Sequence, residues 1–531
     1  MSSSFPWLTV LIVLPALGAI ALWTLPARAR SRSRAIALGV SLVEVLLAVG
    51  ALLAFDTSDA RTHQLAETHH WIPALGVSYA VAVDGVALAL VLMSVVLVPV
   101  VILAAWREQG SGTRPSDRLG RYLALVLLLE AFIVAVFSAR DVFLFYVLFE
   151  AMLIPVYFMI GMFGGVQRRY AAVKFLLYSL AGGLVMLVGV IVLYLQGPGG
   201  PDGFLTDRLT GLDLDPTMEK WLFLAFFLAF AIKAPMFPVH TWLPDAAEQA
   251  PAGTSTLLVG VLDKVGTFGM LTLCLPLFPN ASRWAAPAII VLAVVSVLYG
   301  ALLAIGQKDL MRLIAYTSVS HFGFIVLGIF AFTSTSVAGS SFYMVNHGLS
   351  TGALFLLAGF LVARRGSAQI ADFGGLQKVV PVLAGTFLVA GLSALSLPGL
   401  STFVSEFLVL VGTFSANPAA AVVATVGVVL AALYVLWTYQ RIFTGPVRDG
   451  LATTVDLGGR ERWVVGPLIA LMLVLGFVPG PALTLVRPPA QATLEHVGVE
   501  DPAPTVTVDA TAGAATVDLA GTTGTDEGSD R

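Results

Sequence analysis

Ionisable side chains lie inside long apolar stretches of this sequence, where an isolated charge is costly. On the insertion scale, each charged residue at the centre of a membrane helix costs about 2.5–3.5 kcal/mol. Such residues therefore need a partner, water or both. Those that fall within predicted helices are Glu44, Glu130, Glu150, Lys174, Lys233, Asp263, Lys264 and Glu406. A purely structural role, in which ion pairs hold the helices together, would need a carboxylate beside each lysine. The wide spread of these residues along the chain favours a proton relay instead.

Lys233 lies next to a predicted helix break. In AFAIKAPMFPVHTWLPDA, Pro235 and Pro238 cannot donate hydrogen bonds to the carbonyls of Ala231 and Ala234. Irregular backbone at membrane depth is tolerated only where it is buried in protein or lines a watery cavity, and broken helices mark the ion sites of transporters. The break therefore makes Lys233 the sharpest candidate for a proton site.

Glu406 follows a second predicted break. In GLSALSLPGLSTFVSEFLVL, Pro398 and Gly399 interrupt the apolar run, and Glu406 comes eight residues after the proline. Two broken helices predict two related halves of the molecule. Glu150 follows Tyr146 by four residues and so shares its helix face. This carboxylate is a natural partner for a buried lysine.

Each of two histidines in apolar helices has a hydroxyl side chain one turn away. Thr317 precedes His321 by four residues, and Tyr343 precedes His347 by four. Hydroxyl stripes can hold ordered water, and histidine titrates near neutral pH, so these residues are candidates to bridge the two halves. A hydrogen-bonded packing role stays open for both. Within the predicted spans no HxxxH, ExxH or paired Cys/His spacing occurs, which predicts no metal site there.

Several other ionisable residues allow more than one interpretation. Asp263 is adjacent to Lys264 and about 100° round the helix from it, which favours a structural role for the carboxylate. Glu44 and Glu130 are isolated carboxylates for which packing and function are equally open. For His240 and Asp245, beside the first break, capping is as plausible as conduction.

The composition excludes a water-exposed fold. Hydrophobic residues make up 58% and charged residues 11% of the 531 residues, against about 25% charged residues in an ordinary soluble domain. Repeated apolar runs of about 20 residues predict an all-α polytopic membrane protein with about fourteen transmembrane helices. The predicted spans are 5–26, 35–55, 81–105, 120–138, 142–163, 171–195, 219–240, 251–276, 284–306, 309–332, 341–363, 380–414, 418–440 and 463–486.

Composition and motifs also exclude several function classes. The net charge is -3 and no basic cluster is interleaved with aromatic residues, so nucleic acid is not expected as a partner. A single cysteine, Cys274, allows neither a disulfide nor an iron–sulfur site. The Gly-rich stretch GPGGPDG joins two predicted helices and lacks the context of a dinucleotide fingerprint. If the protein takes part in redox chemistry, other chains must hold the cofactors.

The basic residues predict the topology of the chain. The odd-numbered loops between the predicted spans, counted with Arg121 and Arg312 in the first turn of the span that follows, contain 19 Lys and Arg residues, and the even-numbered loops contain four. Because basic residues concentrate in cytoplasmic loops, both termini are expected on the non-cytoplasmic side. The acidic, Ala/Thr/Gly-rich tail at 488–531 is predicted to be disordered there.

Four stretches carry a family resemblance: LFYVLFEAMLIPVYFMIG, KAPMFPVHTWLPDAAEQAP, KDLMRLIAYTSVSHFGF and LPGLSTFVSEF. Over roughly 80–486, the sequence resembles the antiporter-like membrane subunits of proton-pumping NADH:quinone oxidoreductase, respiratory complex I. The resemblance implies two inverted five-helix repeats, formed by spans four to eight and nine to thirteen. The implied segments are 1–118 (first three helices), 119–276 and 277–442 (the repeats), 443–487 (loop and last helix) and 488–531 (tail).

The same resemblance implies roles for individual residues. Glu150 and Lys233 look like the family's paired carboxylate and lysine, Lys264 like its central lysine and Glu406 like its terminal proton site. The implied supporting positions on the polar axis are His321, His347 and Lys174. The glutamate in FVSEF favours the M-type chains, since L-type, N-type and sodium/proton antiporter chains usually carry lysine there. The hypothesis is that a proton enters from the cytoplasm, reaches Lys264 and leaves through Glu406, while the Glu150–Lys233 pair gates the transfer.

The resemblance further implies partners, cofactors and location. NADH, FMN, iron–sulfur clusters and quinone are expected in partner subunits and none in this chain. The expected partners are the other membrane subunits of the complex, with L-type and N-type chains as neighbours, in the bacterial plasma membrane. Two alternatives stay open: a subunit of a multisubunit sodium/proton antiporter, and a purely structural membrane scaffold.

Overall fold

Helices make up nearly all of the regular structure. A computed structural model describes residues 5–106 and 115–501, without the side chains of 27 and 115–117. The helices of the first half are α1 (Trp7–Thr24), α2 (Ser33–Ala54), α3 (Gly85–Ala105), α4 (Pro115–Ser138), α5 (Val142–Ala151), α6 (Leu153–Phe163), α7 (Arg168–Gln196), α8 (Thr206–Leu209), α9 (Pro216–Lys233), α10 (Trp242–Gln249), α11 (Ala252–Leu257), α12 (Lys264–Gly269) and α13 (Leu275–Leu277). Those of the second half are α14 (Pro279–Ile305), α15 (Leu310–Phe330), α16 (Ser334–Arg365), α17 (Pro381–Ala394), α18 (Ser401–Ala416), α19 (Pro418–Phe443), α20 (Gly459–Phe477) and α21 (Gly480–Val497).

The helices account for the predicted membrane character of the chain. Among the residues that the structure describes, eleven helical segments are long and apolar enough to cross a membrane. α20 and α21, bent by 70° relative to each other, add a twelfth if they form one span. The broken segment of α9 and α10 begins in the seventh predicted span and ends beyond it, and the broken segment of α17 and α18 occupies the twelfth. The total of fourteen stays a prediction, because length and composition alone do not decide whether a broken segment crosses.

Both predicted helix breaks are confirmed. α9 ends at Lys233, and Met236 N–H donates to Ala231 O at 3.0 Å instead of continuing the helical pattern. The indole N–H of Trp242 donates to Ile232 O at 2.9 Å and so satisfies a carbonyl at the end of α9. α17 likewise ends before Pro398, and α18 begins after it. Proline chemistry therefore places the irregular backbone where it was expected.

A short antiparallel hairpin departs from the all-α prediction. β1 (Gln64–Ile72) pairs with β2 (Val77–Val83) in the connection between α2 and α3. The carboxylate of Glu67 on β1 accepts hydrogen bonds from the backbone N–H groups of Leu8 (3.0 Å) and Thr9 (3.3 Å). These N–H groups lie in the first turn of α1 and have no partner within the helix. The hairpin thus caps α1.

The predicted start of the tail at 488 is wrong. α21 continues to Val497, and it buries Ala490, Leu494 and Val497. Beyond it, Asp501 accepts a hydrogen bond from the backbone N–H of Ser334 at 2.7 Å, at the first residue of α16. Apolar residues at helical spacing explain why the helix continues through Pro488 and Pro489, beyond the predicted end of the last span at 486. The predicted disorder of 502–531 lies outside the described residues.

Candidate proton-transfer site

Lys264 is the best-connected lysine of the buried core. Its Nζ donates to Val259 O at 2.6 Å and lies 2.6 Å from Nδ1 of His347. Both side chains have 0% exposure. Val259 belongs to a π-helical segment, Leu258–Leu262, and such segments occur frequently at functional sites because they change the helical pairing of carbonyls. A lysine and a histidine in hydrogen-bond contact can exchange a proton.

A close approach between two helices creates this contact. A Cβ atom on Gly348 of α16 would lie 2.7 Å from Gly260 O in the π-helical segment and 2.3 Å from Met93 Sδ. Any larger residue would therefore push the two backbones apart. Since His347 and Lys264 flank this crossing, glycine at 348 sets their separation.

From His347, polar groups continue across α15 and α19. The rings of His347 and His321 pack edge to face with centroids 5.1 Å apart. His321 Nε2 lies 3.2 Å from the hydroxyl of Tyr434, and the tautomer decides which of them donates. All three residues are buried. The histidines therefore lie in one continuous row with Lys264.

Glu406 lies at the far end of this row and is held by two hydroxyl groups. Tyr343 donates to Glu406 Oε2 at 2.6 Å, and Ser396 donates to the same oxygen at 2.5 Å. Tyr343 lies one turn before His347 on α16. Ser396, in the break between α17 and α18, has a φ of 60°, a conformation that L-residues rarely adopt. This strained backbone positions the serine hydroxyl on the carboxylate.

Glu150 and Lys233 are close to each other but are not hydrogen-bonded. Lys233 is buried, its Nζ lies 4.6 Å from the centroid of the Phe149 ring, and it makes no hydrogen bond within the described part of the chain. Each of the two residues interacts electrostatically with the other. Oε1 of Glu150 is buried without a partner there and lies against Gly183 of α7. The pair therefore interacts electrostatically without a direct hydrogen bond.

Lys174 lies outside the row of buried polar side chains that runs from Lys264 to Glu406. Its Nζ lies 2.6 Å from Asp245 Oδ2, and Arg312 Nη1 lies 2.5 Å from Asp245 Oδ1 and 2.9 Å from Glu248. These four residues form an ion network at one end of α7, α10 and α15. Asp245, for which capping was considered, is therefore an ion-pair partner.

A cavity of about 810 Å³ adjoins this network. Its charged and polar lining includes Arg118, Tyr122, Glu248, Arg364, Arg460 and Glu461. The hydroxyl of Tyr122 lies 3.2 Å from Thr254 Oγ1 on α11, which leads directly into the π-helical segment before Lys264. A cavity of this size with charged side chains in its lining is roomy enough for many waters.

The remaining buried ionisable groups lie apart from the row or beside it. Glu44 and Glu130 are buried on α2 and α4, interact with each other, and have no hydrogen-bond partner among residues 5–106 and 115–501. His240 is buried between the rings of Phe237 and Tyr299. Asp263, by contrast, interacts electrostatically with both Lys264 and Lys233.

Sequence reasoning missed Tyr434, Ser396 and Glu248, and it did not connect Arg312 to the site. Tyr434 reaches the row through a contact between distant parts of the chain, for which the sequence holds no local signal, whereas Ser396 lies only ten residues before Glu406, beside the predicted break. For Glu248, the spacing Asp245–Glu248 in LPDAAEQ could have indicated two carboxylates on one helix face.

Comparisons with known proteins assign the chain to a family. The family described as "NADH:quinone oxidoreductase/Mrp antiporter, TM" matches residues 139–431. NADH-quinone oxidoreductase subunit M of Mycobacterium tuberculosis (strain ATCC 25618 / H37Rv) is 48% identical over 535 residues, which cover 95% of this chain and 97% of that protein. Respiratory complex I from Thermus thermophilus with bound NADH contains a chain with a TM-score of 0.83 and 33% identity, over 93% of this chain and 100% of that one.

A second structure shows the breadth of the fold. A chain of the Mrp complex from Dietzia sp. DQ12-45-1b matches with a TM-score of 0.79 and 22% identity, over 92% of this chain and 99% of that one. At that identity the likeness shows the fold alone, whereas the subunit M relative is similar over almost the whole chain. The chain therefore belongs to the family of membrane subunits shared by NADH:quinone oxidoreductase and Mrp antiporters, and within it to the NADH-quinone oxidoreductase subunit M group.

Proposed function

We propose that this subunit carries protons across the membrane along the buried row Lys264, His347, His321, Tyr343 and Glu406. The observation that carries the proposal is the 2.6 Å contact between Lys264 and His347 together with the two hydroxyl groups on Glu406. Proton transfer needs donor and acceptor within hydrogen-bond reach or linked by one water. The 5.1 Å ring separation of the histidines is short enough for a small movement or a water to bridge it.

The polar cavity beside Glu248 is proposed as the inlet for protons. It opens at the end of the molecule where the predicted cytoplasmic loops lie, and the contact of Tyr122 with Thr254 joins it to α11. From Thr254 the π-helical segment leads to Lys264. Lys174, through its ion pair with Asp245, is proposed to hold the broken helix at this inlet and not to carry the proton itself.

Glu150 and Lys233 are proposed to gate the transfer. Moving one charge against about 200 mV requires about 4.6 kcal/mol, and a carboxylate–ammonium pair about 4 Å apart contributes about 4 kcal/mol at an effective dielectric of about 20. Closing or opening this pair is therefore of the right size to drive a proton onward. The absence of a hydrogen bond between the two, in the chain as described, supports an arrangement that can close.

The wider setting follows from the relatives. As a subunit M, the chain is proposed to work within an NADH-quinone oxidoreductase of the bacterial plasma membrane, beside L-type and N-type chains, with both termini on the non-cytoplasmic side. NADH, FMN, iron–sulfur clusters and quinone are proposed to lie in partner chains. The segments 119–276 and 277–442 are proposed to be the two inverted repeats, and each contains a broken helix. A sodium/proton antiporter subunit is the alternative, which the subunit M relatives and Glu406 disfavour.

The test is to replace Lys264 in the assembled complex. Lys264→Met should abolish NADH-driven proton uptake by inverted membrane vesicles while the subunit content stays normal. The matched control is Lys308→Met, at an exposed position outside the row, which should pump like wild type. Normal pumping by Lys264→Met would overturn the route. Co-purification with flavin and iron–sulfur chains supports the oxidoreductase, whereas sodium-dependent transport without them would support the antiporter.

A further inference from the structure

Asp263 is a buried carboxylate that the proposed proton route does not use. It has 0% exposure, and neither of its oxygens accepts a hydrogen bond from any residue that the structure describes. An ionised carboxylate without a partner is expensive at membrane depth. The group therefore needs either a nearby cation or a proton.

The packing of α12 places Asp263 towards Lys233. Gly266 lies three residues after Asp263 on the same helix face. A Cβ atom on Gly266 would lie 2.5 Å from Ala234 N and 2.6 Å from Phe230 O, so this face lies directly against the end of α9. Lys233 is the last residue of α9. The crossing thus brings the carboxylate and the lysine side chain into the same buried region.

The Asp263 carboxylate also interacts with two lysines that differ in their hydrogen bonding. It interacts electrostatically with Lys264 and with Lys233, and Lys233 interacts with both Glu150 and Asp263. Lys264 is fixed by Val259 O and His347. Lys233 has no hydrogen-bond partner in the described ranges, so its ammonium can change partner. Glu150 and Asp263 are therefore alternative counter-ions for one lysine.

We propose that Asp263 is a proton-relay residue that joins Lys233 to Lys264, an inference that rests on the proposed function. In the first step, the ammonium of Lys233 gives a proton to the carboxylate, which leaves a neutral amine and a carboxylic acid. In the second step, the acid gives the proton to the neutral amine of Lys264, which restores the carboxylate and forms an ammonium. No electron moves, and the total charge of the three residues is unchanged. Because adjacent residues project about 100° apart, the second step runs through a water or a rotamer change.

The relay is tested by Asp263→Asn in the assembled complex. The amide keeps the size of the side chain but cannot hold the proton, so NADH-driven proton transport should fall about tenfold or more. Asp263→Glu should recover part of it. The matched control is Glu130→Gln, which alters another buried carboxylate with no hydrogen-bond partner among the described residues and whose electrostatic neighbour is Glu44 rather than either lysine. That control should pump like wild type.

Infrared difference spectra report protonation of a carboxylate during turnover, which a purely structural Asp263 would not show. Wild-type complex should show, on turnover, a carboxylic acid carbonyl band that Asp263→Asn lacks and Glu130→Gln keeps. If Asp263→Asn does not assemble, Asp263→Glu decides instead, since the relay predicts a shifted band. Absence of any such band overturns the relay, and so does an equal loss of pumping in Asp263→Asn and Glu130→Gln.

Comparison of two variants distinguishes failure of the relay from failure of the proposed function. Normal pumping by Asp263→Asn beside a Lys264→Met variant that does not pump overturns the relay alone and leaves the route through Lys264 intact. Normal pumping by both variants overturns the route itself.

Discussion

Gly183 provides the space that the Glu150 carboxylate occupies, and its replacement tests the proposed gate without touching an ionisable residue. A Cβ atom at position 183 would lie 1.6 Å from Oε1 of Glu150, whereas an ordinary contact begins at 3.4 Å. In Gly183→Ala the carboxylate must therefore retreat by about 1.8 Å. In the closed state of the proposed gate, with the pair about 4 Å apart, a retreat of the carboxylate to about 6 Å loses about 1.4 kcal/mol at an effective dielectric of about 20. We expect proton pumping to fall about tenfold.

The control for this prediction is Gly189→Ala on the same helix. A Cβ atom there would lie 3.1 Å from Ala225 Cβ and from the Phe226 ring, so it also crowds α9 but reaches no ionisable group. Both variants are assayed by NADH-driven acidification of inverted vesicles, normalised to subunit content. Gly183→Ala complexes that pump as well as Gly189→Ala complexes would refute the argument that the position of Glu150 sets the gate.

Three further changes have specific expected outcomes. Lys233→Ala should leave the assembly intact but greatly reduce pumping, because Glu150 loses its counter-ion and takes up a proton; normal vesicle acidification would contradict the gate. Gly348→Ala should lower pumping by about tenfold or more by separating His347 from Lys264, and wild-type acidification would show that this contact is dispensable. Truncation after 501 should preserve assembly, whereas truncation after 486 removes the buried side chains of Leu494 and Val497 and should lower the yield of assembled complex on native gels; equal yields would show that α21 does not stabilise the subunit.

The parts of the site that could be predicted depend on local chemistry. Pro235 and Pro398 lack an N–H group, and this alone predicts both helix breaks. The cost of burying a charge likewise singles out Lys233, Lys264 and Glu406 in apolar runs. These inferences need no knowledge of how the helices pack.

The parts that could not be predicted depend on packing between distant segments. The position of Asp263 was judged from a regular helix, whereas a π-helical segment precedes it and α9 packs against its face. Lys174 pairs with Asp245, 71 residues further along the chain, and no pattern in the sequence indicates this. Tyr434 reaches His321 across 113 residues in the same way. The first part of the tail was misjudged because it was grouped with the acidic, Ala/Thr/Gly-rich residues that follow, although burial of its apolar face keeps α21 helical.

The most direct test of proton transfer along the row is to remove the titratable proton of Glu406. Glu406→Gln keeps the size of the side chain and its contacts with Tyr343 and Ser396, so the fold should survive. In correctly assembled complexes, NADH:quinone turnover and vesicle acidification are measured together for Glu406→Gln and Glu406→Asp. The account predicts that both signals fall in parallel in the Gln variant and that Asp recovers part of each. Wild-type proton flux in Glu406→Gln would contradict it and would make this carboxylate a packing group.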